Sequence, residues 1–266
     1  MLKDQLSKIL SDDVSGASAL YRRTLVLLRD SRSFRKRFRR EQALLRLRRT
    51  FPEMAVFAYL QDRLAKVDDA SEKDRIDLLL AEADEEAERV GRRLDCLWKR
   101  KRRVVTFSQS SLVMRLLLEG RERITELLIS VAAPKYEGLT AARRLANAGI
   151  SIELATDAAL PGMIRRGDLV IVGADSVTER YFINKCGTLP LLLAARAAGA
   201  VSVVVFERFK RTSARKMRYV PRRHSPKEIV PPGYQFARIE NLYFEKIPVA
   251  YADWLLSGDR AVRGNR

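Results

Sequence analysis

Asp175 and Lys185 are the side chains of this 266-residue chain whose types and settings best suit moving a proton or holding an anion. Asp175 belongs to Gly173-Ala174-Asp175-Ser176, directly after the apolar run 169–172. A carboxylate there can take or give a proton, or bind sugar hydroxyls. The ordinary alternative for a lone aspartate after a strand is a helix cap. Lys185 stands in Asn184-Lys185-Cys186-Gly187-Thr188, which sets an amide, an ammonium and a hydroxyl ahead of a helix. Two more loops complete the set. Thr106-Phe107-Ser108-Gln109-Ser110-Ser111 carries hydroxyls and the free amides of a helix start, which suit a phosphate. Ala133-Pro134-Lys135-Tyr136-Glu137-Gly138 offers one cation and one acid. For the serines, plain helix N-capping is the competing reading.

The inventory excludes other chemistry. A single histidine, His224, lies in a basic stretch, so a histidine metal site or a Ser/His/Asp triad has almost no material, and no metal or cofactor is expected. Cys96 and Cys186 are too few for a disulfide framework and lack metal-ligand spacing, which suits a reducing cytoplasm. Both are expected to be buried thiols. The apolar stretches are broken by charges well short of the ~18 residues that a membrane span needs, so a soluble protein is expected.

The elements that must position these loops follow from hydrophobic spacing. Up to residue 103 apolar residues recur at three and four, as in Leu20, Leu25, Leu27 and Leu28, and no strand is expected. The stretch 71–101 predicts a long amphipathic helix, with Ile76, Leu79, Leu80, Ala83, Ala87 and Val90 on one face and acids ahead of bases. Beyond residue 103, runs at 104–107, 127–132, 150–155, 169–172 and 201–206 read as strands, and 112–121, 138–148, 158–166 and 189–198 as helices. Strands alternating with helices imply a parallel, doubly wound sheet. The expected fold is therefore α/β: an all-helical N-terminal domain over 1–103, then a Rossmann-like, mostly parallel sheet domain over 104–266. In such a sheet ligands bind beyond the carboxyl ends of the strands, where the four loops converge.

Lys and Arg number 51 against 33 Asp and Glu, a net charge of +18. That balance favours polyanionic partners without choosing among nucleic acid, phosphorylated metabolites and acidic proteins. Segments 31–49 and 208–227 each hold nine Lys or Arg. The second, with Pro221 and Pro226, is expected to be a mobile loop that contributes little to the fold. For both, a solvated charged face competes with an acidic-protein or nucleic-acid site, for which Phe209 and Tyr219 would be the stacking aromatics.

Read in order, Thr106-Phe107-Ser108-Gln109-Ser110-Ser111, Pro134-Lys135-Tyr136-Glu137-Gly138, Gly149-Ile150, Asp157-Ala158-Ala159, Gly173-Ala174-Asp175, Asn184-Lys185-Cys186-Gly187-Thr188 and Asn241-Leu242-Tyr243-Phe244-Glu245-Lys246-Ile247-Pro248 resemble one family. It is that of the alpha, beta and delta subunits of eukaryotic initiation factor two-B, which also includes the ribose-1,5-bisphosphate and methylthioribose-1-phosphate isomerases. The resemblance spans 104–256, and the Gly-Ala-Asp followed by Asn-Lys-x-Gly-Thr is its most specific part.

The resemblance implies a site built from Ser108, Gln109, Ser110, Lys135, Glu137, Gly138, Asp175, Asn184, Lys185, Gly187 and Thr188. The isomerases pair an aspartate, matched by Asp175, with a cysteine whose position here is Ser108, and they carry an arginine where this chain has Ala133. A serine hydroxyl is a far poorer acid than a thiol. The expectation is a cytoplasmic regulatory or scaffolding protein, a homodimer or higher oligomer, that binds a sugar phosphate or nucleotide without turnover. The alternatives are a divergent aldose-ketose isomerase using Asp175 with another acid, and a basic protein associated with ribosomes or nucleic acid.

Overall fold

The computed structural model describes residues 2–31, 34, 36–68, 70–217 and 219–264. Arg32, Ser33, Arg35 and Arg218 of the two basic segments lie outside the described residues. Five helices come first: α1 (Leu2–Leu10), α2 (Ala17–Asp30), α3 (Arg37–Thr50), α4 (Val56–Leu64) and α5 (Glu72–Leu97). Their apolar faces make one core around Leu20, Leu25, Leu44, Leu47, Phe57 and Leu60.

The spacing of three and four in α5 puts Ile76, Leu79, Ala83, Ala87, Val90 and Leu94 on its buried face. The helix is about 39 Å long at 1.5 Å per residue. Its first half joins the helical core and its second half, Ala87, Val90 and Leu94, packs on the sheet. Glu72 and Asp74 in its first turn complement the helix dipole.

The sheet comprises β1 (Arg102–Thr106), β2 (Ile124–Ser130), β3 (Ile152–Ala155), β4 (Leu169–Val172), β7 (Val201–Val205), β9 (Trp254–Leu256) and β10 (Ala261–Arg263), in the order β10-β9-β7-β4-β1-β2-β3. All pairings are parallel except that of β9 with β10. The central strands are apolar on both faces because both are covered. Val104, Leu127, Ile129 and Ile171 face α5, α6 (Ser111–Glu119) and α7 (Glu137–Asn147). Val105, Leu128, Val170, Val172 and Val204 face α8 (Thr188–Ala198) and a second sheet. The protein is thus a helical region followed by an α/β domain with a mostly parallel sheet, as the periodicity predicts.

The second sheet is antiparallel, in the order β5 (Ser176–Val177), β6 (Tyr181–Lys185) and β8 (Phe244–Pro248). Asn184 and Lys185, expected in a loop, therefore end a strand. The helix expected over 158–166 is a single 3-10 turn, Leu160–Met163, since Pro161 and Gly162 leave no room for an α-helical run. Cys96, expected inside, is exposed, because it faces away from the buried stripe of α5.

The basic segment 208–227 departs most from expectation. It buries Phe209, Lys210 and Met217. Phe209 stacks on Tyr21 of α2 with ring centroids 4.1 Å apart, so it is core and not a platform for bases. In the segment 31–49, Arg40 is fully buried and pairs with Glu72 across 3.0 Å. Among the described residues no helix is long and apolar enough to cross a membrane.

Candidate functional site

The loops after β1, β2 and β4 open on the same end of the sheet, where parallel strands leave helix starts and free backbone groups. Ser108, Gln109, Ser110, Glu137, Asp175, Asn184 and Lys185 all line one cavity there. Lys135, Gly138, Gly187 and Thr188 do not reach its wall. The chain passes tightly around it: a Cβ at Gly173 would stand 2.7 Å from Ser110 Oγ, and one at Gly138 2.0 Å from the Ser130 carbonyl oxygen. Glycine is required at both places because backbone and neighbour already touch.

Two ionic clusters organise the interior. Glu137 Oε1 receives both the Ser108 hydroxyl, at 2.8 Å, and the Lys185 ammonium, at 2.9 Å. Lys210 is 2 % exposed and pairs with Glu207 across 2.9 Å. The residues outside the wall support those on it. Thr188 donates to the Lys185 carbonyl at 2.7 Å and accepts from the Asn184 amide at 2.9 Å. Gly187 N–H and Leu189 N–H both donate to Glu245 Oε1 at 2.9 Å, so the start of α8 is already capped by a carboxylate. Lys135 joins Asp13 at 2.8 Å to Glu228 at 2.9 Å, holding two loops across the rim.

Three features of the wall escape the sequence reading. The turn before α2, residues 12–18, closes one side, and the Ala17 amide donates to Asp175 Oδ1 at 3.0 Å. Arg222 and His224 of the second basic segment also face the cavity, and His224 stacks on Tyr243 with centroids 3.4 Å apart. Glu53, between α3 and α4, is the third. The Ser176 hydroxyl donates to its carbonyl at 2.6 Å and accepts from the Ala55 amide at 2.7 Å, which staples this turn beside Asp175. A carboxylate set among Phe51, Pro52 and Met54 is the one signal that could have marked Glu53.

Burial governs the titration of the site. It raises the Asp175 carboxyl, against the opposing effects of Lys210 and the Ala17 amide. Glu53 is pushed up to about 7 by burial, with the Asp175 charge adding to the effect and its own backbone amide opposing. Cys186 is pushed up to about 12 by burial and then by Glu245, which leaves an inert thiol next to Lys185. The free space is about 60 Å³, small against the ~300–1,000 Å³ of ordinary small-molecule sites. Among the described residues no cluster of His, Cys, Asp and Glu could hold a metal ion.

Comparison with known proteins agrees with this architecture. An eIF-2B subunit 2-like translation initiation factor of Pyrococcus horikoshii is 36% identical over 110 residues, 40% of each chain. The ribose 1,5-bisphosphate isomerase of Archaeoglobus fulgidus is 28% identical over 164 residues, 58% of this chain and 51% of that protein. The matches thus span about half or less of these relatives. The crystal structure of a Pyrococcus horikoshii translation initiation factor eIF-2B superposes with a TM-score of 0.84 at 22% identity, covering 98% of this chain and 96% of that one, and so shares the fold. The sequence pattern of the initiation factor 2 subunit family runs through residues 46–256, from α3 to the last parallel strand and across every loop of the cavity except the turn 12–18, and the protein belongs to that family.

Proposed function

We propose that this chain is a regulatory or scaffolding member of its family that binds a small phosphorylated sugar in the cavity without converting it. The observation that carries the reading is the convergence of Ser108, Glu137, Asp175 and Lys185 on one buried cavity at the carboxyl ends of the parallel strands. Ligand binding beyond those ends is the rule for such sheets. The small free volume favours a sugar phosphate over the larger nucleotide. The absence of turnover rests on Ser108. Its hydroxyl donates to a Glu137 oxygen that the Lys185 ammonium already holds, so no free base activates it.

Cytoplasmic location and pairing of the sheet domains into at least a dimer belong to the same reading, and light scattering giving a 30.3 kDa particle would count against the latter. A second reading, isomerisation of an aldose phosphate, is favoured by Glu53, a second carboxyl on the wall pushed up to about 7 and stapled beside Asp175. Two assays on the purified chain separate them. Thermal shift with sugar phosphates and nucleotides should reveal stabilisation by a sugar phosphate. Ketose formation from ribose 1,5-bisphosphate and methylthioribose 1-phosphate should stay at background. Robust ketose formation lost in Asp175→Asn would replace the first reading with the second.

A further inference from the structure

We infer, on the basis of the sugar-phosphate reading above, that the ligand enters hydroxyl end first, its hydroxyls received by Glu137 and Glu53, and that the cavity admits one phosphate, at the mouth beside Arg222, and rejects a second one inside. The inner cations are already matched. Lys185 holds Glu137 Oε1 at 2.9 Å and Lys210 holds Glu207 at 2.9 Å. At the helix starts Glu245 caps α8, Ser110 accepts from Val113 N–H of α6, and Asp175 accepts the Ala17 amide of α2.

With these two lysines paired, the interior side chains offer chiefly acceptors. Glu137 Oε2 is buried without a hydrogen-bond partner among the described residues, although the residue is only 6 % exposed. Such an atom favours a donor and resists another anion. The Glu53 carboxyl receives its own backbone amide. Five carboxylates, against Lys185, Lys210, Arg222 and the half-buried His224, line the cavity among the described residues. A phosphate pushed inward would meet Glu53 and Asp175, whereas a hydroxyl can donate to either. At the mouth Arg222 gives one guanidinium nitrogen to the Thr50 carbonyl at 2.8 Å and is otherwise exposed, leaving donors in the planar fork that suits a phosphate.

The test is calorimetric titration of the full chain with ribose 5-phosphate, ribose 1,5-bisphosphate and ribose at pH 8. Ribose 5-phosphate is expected to bind about tenfold or more tightly than the bisphosphate, a difference of about 1.4 kcal/mol. Glu53→Gln, which keeps the shape and removes the charge, is expected to narrow that ratio. Arg222→Ala, whose folding is checked by its melting temperature, is expected to weaken ribose 5-phosphate and leave ribose unchanged. Bisphosphate binding as tight as monophosphate binding, with a ratio indifferent to Glu53→Gln, overturns the orientation while leaving the sugar-phosphate site standing. Heat from none of the three ligands overturns both.

Discussion

The amide of Ala17 donates to Oδ1 of Asp175 across 3.0 Å, joining residues 158 positions apart. Through this bond the helical region supplies a wall of the site, and the start of α2 lies over the carboxylate that the sheet presents. Ala17 is the first residue of α2, where proline is tolerated, and Gly16 before it is already extended. Ala17→Pro therefore removes this donor while leaving the helix intact. Loss of a hydrogen bond to a buried carboxyl should cost about 1–3 kcal/mol. Unchanged stability in urea, with unchanged helical circular dichroism, would show that the bond holds nothing.

Glu53 makes stability depend on pH. In the unfolded chain it releases its proton near 4.5, and in the folded protein near 7. Between those values the folded state binds more protons, so the group's favourable contribution, fully present below 4.5, declines as pH rises towards 7. Glu53→Gln abolishes the decline. Relative to the parent, the variant should gain up to about 3 kcal/mol between pH 5 and pH 8. Equal differences in urea midpoint at the two pH values would refute this.

Lys210 separates the structural part of the basic segment from its solvated part. With Lys210 replaced by methionine, Glu207 stays buried without its cation, and breaking such a pair costs about 3–5 kcal/mol. Lys216 is 74% exposed and 3.8 Å from an equally exposed Asp62, so Lys216→Ala should change stability by less than about 0.5 kcal/mol. Similar melting temperatures for the two variants would restore the picture of a loop that contributes little.

Glu245 stabilises α8 from another strand. Its Oε1 accepts from both Gly187 and Leu189, the arrangement of a helix cap supplied from outside the helix. Glu245→Ala should lower stability by about 1–2 kcal/mol, and Glu245→Gln, which keeps the acceptor and loses the charge, by less. A fully stable Glu245→Ala would mean that solvent serves these amides equally well.

Most of the frame was legible from local pattern. The all-apolar run 169–172 and the run 201–205, apolar but for Ser202, can be buried on both faces only in the middle of a covered sheet, and that is where β4 and β7 lie. The three-and-four spacing of α5 marked its buried stripe, and the loops following apolar runs marked the end of the sheet where Ser108, Glu137 and Asp175 meet.

What the sequence alone determined was which residues face inward within each element, because side-chain periodicity is a property of a few consecutive residues. Tertiary structure alone decided which element meets which. The pairing of 181–185 with 244–248 joins short segments far apart, with no shared rhythm to announce it, and it turned the Asn184-Lys185 loop into a strand. It also decided that Glu137 and Glu207 neutralise the two inner lysines, and that Glu53 and Ala17 stand beside Asp175. Those contacts depend on how the helical region is packed against the sheet, and charge paired by such packing leaves no trace in composition or spacing.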